Sequence, residues 1–382
     1  MGVKELVEAS RRYGSDRRYV LAGGGNTSYK DASTLHVKAS GTTLAALSEE
    51  GLVRMVRARL APIWTRRYSA DPDLREKEAL ADLMAARVEG ETKRPSVETL
   101  LHDLLEPGYV VHLHPSLVNG LTCGRDGERI ARELVHESMI WIPVVNPGYV
   151  LAKYIRDAIE KHLTGGKEYP KILLLQNHGV FVADDSIGEI DRIYSEMMEK
   201  LEKRLVRVPD LSPIPDPSGG RLTTAVESAV QALEERGIRG PFEREVLLNP
   251  EIKRIVASRG AFSPFLGLGY TPDHLVYCKA APIWIPAGSE GDAAVVGAEI
   301  SSFFSRFDGA PRLFAVEGAG VFAIGESRAV AENAAALFLD LIAVVGFAES
   351  FGGPIKMPQD KIDFILNWEV ESYRAKVSHD KT

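Results

Sequence analysis

Cysteine is nearly absent from this chain, with only Cys123 and Cys278 in 382 residues. That excludes a disulfide framework and fits a reducing cytoplasm. Neither cysteine lies beside the histidine motif described below, so neither is read as a metal ligand. Long apolar runs are also missing. None approaches the ~18 residues of a membrane helix, so no spanning segment is expected. The charged, amphipathic stretch from Met1 to Arg18 lacks the apolar centre of a signal peptide. There is no basic block. Lys plus Arg number 46 against 53 Asp plus Glu, for a formal net charge of −7, which argues against nucleic acid as the main partner. Phosphate-cradling glycine loops are missing too. No Gly-Lys-Ser/Thr closes a glycine-rich turn, and Gly318 and Gly320 do not complete a Gly-x-Gly-x-x-Gly between strand and helix. No nicotinamide cofactor is expected.

What remains is an ordinary globular composition, 45% hydrophobic and 26% charged. The chain is long enough for two domains or one large one. Apolar patterning predicts helices over 1–20, 48–60 (capped by Ser48), 73–86, 97–105 (capped by Ser96), 127–135, 149–162 and 187–206. Strands are predicted over 19–22, 35–39, 109–114, 141–145, 171–176 and 180–183. Between Pro209 and Gly220 stand four prolines and two glycines. Regular structure is disfavoured there, so 209–220 reads as a linker between a domain at 1–208 and a second at 221–382.

The second half echoes the first. Gly318-Ala319-Gly320-Val321-Phe322 resembles Asn177-His178-Gly179-Val180-Phe181, and 269–282 resembles 106–115. Aligned in this way, Lys279, Ala281 and Ala319 fall opposite His112, His114 and His178. Residues 221–382 then read as a degenerate lobe without metal ligands. Chance recurrence of apolar strands is the alternative.

The chemistry concentrates in Tyr109-Val110-Val111-His112-Leu113-His114-Pro115. In a strand, residues two apart share a face, so both imidazoles converge while Val111 and Leu113 face the other way. His178 ends another apolar strand. Three neutral imidazoles suit a divalent transition metal and leave positions open for substrate. A packed-core histidine pair is the competing reading of the His-x-His alone. Glu98 lies fourteen positions before His112 at a helix start. It fits either an acid/base at the metal site or a simple helix-dipole partner. Gly23–Ser28 and Ser40-Gly41-Thr42 are small polar loops that suit an anion, or are merely turns.

Taken in order, Gly25-Asn26-Thr27-Ser28, Ser40-Gly41, Ser96-Val97-Glu98, His112-Leu113-His114 and Asn177-His178-Gly179 resemble the class II, metal-dependent aldolase/adducin superfamily. The resemblance covers roughly the first 205 residues. It is closest to the aldolase part of rhamnulose-1-phosphate aldolase/dehydrogenase fusions, whose dehydrogenase part has no counterpart here. It implies an α/β protein with a three-layer α/β/α class II aldolase-like fold, here as two tandem lobes. His112, His114 and His178 would ligate Zn²⁺ or another divalent transition metal. Glu98 would exchange a proton with the nucleophilic carbon of an enediolate. Asn26, Ser40, Gly41 and Ser96 would hold the substrate phosphate. Where Val97 stands, the family often has a second serine, so one phosphate hydrogen bond is lost. The implied activity is cleavage of a ketose 1-phosphate to dihydroxyacetone phosphate and an aldehyde, by a cytoplasmic homo-oligomer acting on a small phosphorylated sugar, with no nucleic-acid or membrane partner. An epimerase or dehydratase of the superfamily, or a non-catalytic adducin-like scaffold, are the other readings. Pentulose-phosphate epimerases usually carry Asp where Glu98 stands, and scaffold members tend to lose metal ligands.

Overall fold

A computed structural model describes residues 2–135 and 138–368, which fall into two compact units. The first runs to Val206 and takes in the chain again from Phe347; the second is Arg207–Gly346.

Seven strands build the sheet of the first unit: β1 Asn26–Lys30, β2 Thr34–Lys38, β3 Leu52–Val56, β4 Tyr109–Leu113, β5 Met139–Ile142, β6 Ile172–Leu175 and β7 Gly179–Asp184. Their order is β3-β2-β1-β4-β7-β6-β5. Every pairing is antiparallel except β5 with β6. Helices cover both faces, giving three α/β/α layers. Helices Val3–Gly14, Ser116–Thr122 and Ile187–Glu202 bury Leu6, Leu117 and Ile190 against one face, and Thr99–Leu104 and Tyr149–Thr164 bury Leu100 and Ile155 against the other. With both faces covered, β4 is buried at every position and reads as a continuous apolar run broken only by His112. Val111 and Leu113 enter one core and Val110 the other, so the alternation predicted for this strand holds.

Several sequence expectations are corrected. Residues 19–22 form turns rather than a strand. The helix expected over 48–60 is instead a short 3₁₀ turn, strand β3 and a helical turn at Arg57–Leu60. Val53 and Met55 alternate inward beside β2, and that burial outweighs the cap-like Ser48. Ser96 does not cap a helix beginning at 97. The helix begins at Thr99 with Glu98 in the cap position. Helix Arg328–Ala348 is, by length and composition, apolar enough to cross a membrane, contrary to expectation; 72% of its most apolar window is buried inside the protein. The second domain does not extend from 221 to the C-terminus. Phe351 is buried in the first unit's core, Arg125 N–H donates to Gly353 O and Asp126 N–H to Phe351 O, at 3.0 Å each. The 209–217 stretch has no helix or strand, but it belongs to the second unit and is no free tether. Ile214 N–H donates to Leu248 O at 3.0 Å.

The second unit has four strands, β8 Glu243–Leu247, β9 Ile283–Ile285, β10 Leu313–Val316 and β11 Gly320–Gly325, in the order β8-β11-β10-β9. This matches β4-β7-β6-β5 strand for strand, including the sense of each pairing. Val316 pairs Gly320 as Leu175 pairs Gly179, and Leu247 pairs Val321 as Leu113 pairs Val180. The alignment of 269–282 with the histidine strand is overturned. Pro272–Cys278 is a helix whose Thr271 side chain accepts from His274 N–H, and Lys279 sits at its end with φ 66°. Thr-Pro-Asp is a helix start, and it outranks the apolar run that follows. The register instead places Val246 at the position of His112, since Val246 pairs Phe322 as His112 pairs Phe181. Leu248 follows at the position of His114.

Candidate metal centre

Strand β4 delivers His112 and His114, and the β6–β7 hairpin delivers His178. Hairpin closure needs a left-handed residue, and Asn177 supplies it at φ 58°. Its side-chain N–H donates to Ile355 O at 2.9 Å, which holds the turn. Gly179 follows because nothing larger fits. A Cβ there would lie 2.6 Å from Leu113 O, 2.7 Å from His114 Cδ2 and 3.2 Å from His112 Cε1. Gly25, at φ +66°, makes a similar close approach, its virtual Cβ 2.8 Å from His112 O.

The ligand atoms of His112, His114 and His178 all lie within 4.8 Å of one another. His112 Nε2 and His114 Nε2 are 2.9 Å apart. His112 is fully buried, stacks on Phe181 with 3.9 Å between ring centroids, and donates from Nδ1 to Val180 O at 3.0 Å. That bond leaves the Nε2 lone pair facing the cluster, the outer-shell arrangement that orients metal-binding imidazoles. Glu98 Oε1 is 3.4 Å from His112 Nε2 and 3.5 Å from His178 Nε2. It is buried and makes no hydrogen bond. A buried, orphaned carboxylate oxygen facing imidazole lone pairs is a donor set that fits a divalent cation.

Glu98 is held from its other side. Asn26 donates from Nδ2 to Glu98 Oε2 at 2.5 Å and to Ser96 Oγ at 3.3 Å, and Ser96 Oγ also accepts Glu98 N–H at 3.2 Å. Asn26 sits on β1 directly opposite His112. Asn26, Ser96 and Glu98 are thus brought together. Ser40 and Gly41 lie in the neighbouring loop, tied to the segment before Ser96 by Ser40 N–H to Arg94 O at 2.9 Å and by the bridge Ala39–Pro95. Tyr149 packs edge-on against Tyr68 with 4.8 Å between ring centroids, and its N–H donates to Glu76 Oε2 at 2.9 Å.

Sequence reasoning passed over His102. It lies four residues after Glu98, is fully buried and contacts Asn26 Oδ1 and Ser28 Oγ. Burial pushes its pKa well below the usual histidine range, so the ring is neutral. The i,i+4 spacing from Glu98 along a helix was the available signal. Beside it, burial lowers the Lys30 ammonium from 10.5 to about 8, although its Nζ donates to His102 O and Pro107 O at 2.9 and 2.6 Å.

The family described as Class II Aldolase and Adducin N-terminal domain matches residues 4–203. A relative named uncharacterized oxidoreductase YuxG, from Bacillus subtilis, is 24% identical over 425 aligned residues, covering 99% of this chain and 58% of that protein. The chain therefore spans little more than half that relative's length. Among solved structures, the N-terminal class II aldolase domain of a conserved Thermoplasma acidophilum protein is 26% identical with a TM-score of 0.45, over 53% of this chain and 92% of that one. The L-fuculose-1-phosphate aldolase of Thermus thermophilus is 16% identical with a TM-score of 0.33, over 52% of this chain and 95% of that one. With the matched span covering residues 4–203 of 382, the chain belongs to the class II aldolase and adducin family.

Proposed function

We propose that this protein is a metal-dependent aldehyde-lyase that cleaves a ketose 1-phosphate of the rhamnulose 1-phosphate type to dihydroxyacetone phosphate and an aldehyde. The observation that carries the reading is Glu98 Oε1, buried and without a hydrogen bond 3.4 Å from His112 Nε2. A scaffold has no use for such an atom; proton transfer at carbon does. Zn²⁺ or another divalent transition metal would be held by His112, His114 and His178, and when bound would supply Lewis-acid stabilisation of oxygen charge.

The residues then divide the work. The sugar's C4 hydroxyl gives its proton to water, the C3–C4 bond breaks, and its electron pair moves toward the C2 carbonyl as the aldehyde leaves. Glu98, entering the step protonated, delivers that proton from Oε1 to C3 and regains one from water, so the atoms balance and no oxidant is needed. Asn26 holds Oε2 and keeps the carboxylate from turning away. Asn26, Ser40, Gly41 and Ser96 would receive the phosphate, a role supported by the ties that bring the Ser40 loop beside Ser96. Val97 contributes no donor. We place the protein in the cytoplasm as a homo-oligomer, in line with two buried free cysteines.

We also propose that the second unit is a degenerate copy of the β4-β7-β6-β5 half of the first, with Val246, Leu248 and Ala319 where the three imidazoles stand. The matched strand order and registers support this. One metal per chain is the expected stoichiometry.

The test is to incubate zinc-loaded protein with a panel of ketose 1-phosphates and assay dihydroxyacetone phosphate. Release from one member, lost on chelation, is the expected result. Turnover without that product would replace the lyase with an epimerase or dehydratase. Full metal loading with no turnover of any member would overturn the proposal.

A further inference from the structure

We infer that His102 is a positioning residue: a one-way chain of hydrogen bonds from Ser28 through His102 to Asn26 fixes which oxygen of Glu98 carries the exchanged proton. The inference rests on the reading of Glu98 as proton carrier given above.

The direction of the chain follows from donor and acceptor chemistry. Asn26 Oδ1 can only accept, so the His102 Nε2 that faces it bears the hydrogen. A neutral ring protonated at Nε2 has its lone pair at Nδ1. Ser28 Oγ, 2.7 Å away, must therefore donate to it. With its oxygen committed to His102, Asn26 has its amide N–H groups turned to Glu98 Oε2 and Ser96 Oγ. This network is what assigns the amide orientation. Each bond points its proton toward Glu98.

The consequence lies at the carboxylate. Oε2 is engaged by the Asn26 N–H at 2.5 Å, which leaves Oε1, buried and without a hydrogen-bond partner, as the oxygen free to exchange a proton. Oε1 is the oxygen within 3.5 Å of His112 and His178 Nε2. Were Asn26 turned over, its oxygen would face Oε2 and draw the proton to the wrong side. His102 prevents that turn, and Ser28 completes the chain by donating to His102 Nδ1. The ring is clamped in the plane of this chain by full burial and by the edge contact with Phe181, 5.6 Å between centroids. Phe181 in turn stacks on His112.

Two readouts separate this role from mere packing. The first needs no turnover. In protein labelled with ¹⁵N-histidine, two-bond ¹H–¹⁵N spectra report the tautomer, and His102 is identified by its disappearance in His102→Phe. The expected result is Nε2 protonated and Nδ1 a bare acceptor, with that preference weakened in Ser28→Ala. A ring protonated at Nδ1 overturns the inference. The second is kinetic. His102→Phe keeps the ring's shape and removes both polar atoms. It is expected to lower kcat about 10–100-fold, the usual range for an outer-shell partner, with KM and zinc content unchanged. His102→Gln places an N–H near the position of Nε2 and an oxygen able to accept from Ser28, and is expected to restore most of the loss. Wild-type kcat in His102→Phe, or no rescue by His102→Gln, overturns the inference. Absence of lyase activity in the wild type would count against the proposed function, while the tautomer result would still decide the hydrogen-bond chain.

Discussion

Replacing Gly179 with alanine perturbs the histidine cluster by a single methyl group. The backbone at 179 is ordinary strand, paired with Leu175, so the substitution carries no conformational strain of its own. The added Cβ would lie 2.6 Å from Leu113 O and 2.7 Å from His114 Cδ2, both closer than real Cβ contacts come, and 3.2 Å from His112 Cε1. The clash with Leu113 O lies within the β4–β7 ladder and acts whether or not metal is bound. Overpacking of this kind costs about 1–3 kcal/mol. The imidazole contacts act differently. Without metal, His114 can rotate away; with metal, the three rings are fixed and cannot. Part of the penalty therefore falls on binding, and at about 1.4 kcal/mol per decade the whole 1–3 kcal/mol would correspond to roughly 5- to 150-fold, an upper bound on the loss of metal affinity. Chelator competition measures the affinity and thermal unfolding the stability. Gly320→Ala is the internal control. Gly320 occupies the matching hairpin position of the second unit, and its Cβ would meet Leu222 Cδ1 at 3.1 Å and Leu247 O at 3.3 Å. That neighbour is a flexible leucine, so the control should lose less stability and no metal affinity. Wild-type metal affinity in Gly179→Ala, or an equal loss in Gly320→Ala, would refute the reasoning.

Other expected outcomes follow from the same site. Glu98→Gln keeps the Asn26 contact but cannot exchange a proton; turnover should fall about 10²–10⁴-fold with zinc still bound, measured by product release and metal analysis. Asn177→Ala removes the donor to Ile355 O and leaves a left-handed alanine. The combined loss should be on the order of 2–3 kcal/mol in urea unfolding, with Asn177→Gly losing less. Lys30 has its pKa depressed from 10.5 to about 8 by burial, so between these values the unfolded chain binds more protons than the folded one. Its contribution is present above the unfolded value and lost as pH falls through about 8. Stability should therefore rise from pH 8 to 10.5 by on the order of 3 kcal/mol relative to Lys30→Met, read from urea midpoints across that range.

The histidine cluster was legible because its signal is local. His112 and His114 two apart in an apolar strand can only share a face, and Asn-His-Gly marks a hairpin that aims the third imidazole. The matching Gly318-Ala319-Gly320 hairpin was legible for the same reason. What failed were segments whose state is decided by distant partners. Residues 52–56 carry a cap-like serine before them and still become β3, because Val53 and Met55 find a place beside β2. Residues 271–278 look like a strand by apolarity but begin with Thr-Pro-Asp, a helix start that outranks the apolar run. His102 was invisible as a functional residue because its partners, Ser28 and Asn26, come from a strand more than seventy residues earlier. Only the packing of helix Thr99–Leu104 on β1 brings them together.

The account turns on Glu98 exchanging a proton with the carbon next to a carbonyl, and that step can be watched without the cleaved sugar. Zinc-loaded protein is incubated with dihydroxyacetone phosphate in D₂O, and loss of one C3 proton is followed by ¹H NMR. The account predicts steady exchange of a single proton by the wild type and almost none by Glu98→Gln carrying the same zinc content. Exchange by Glu98→Gln at the wild-type rate, or none by a wild type that cleaves a ketose 1-phosphate, would contradict it.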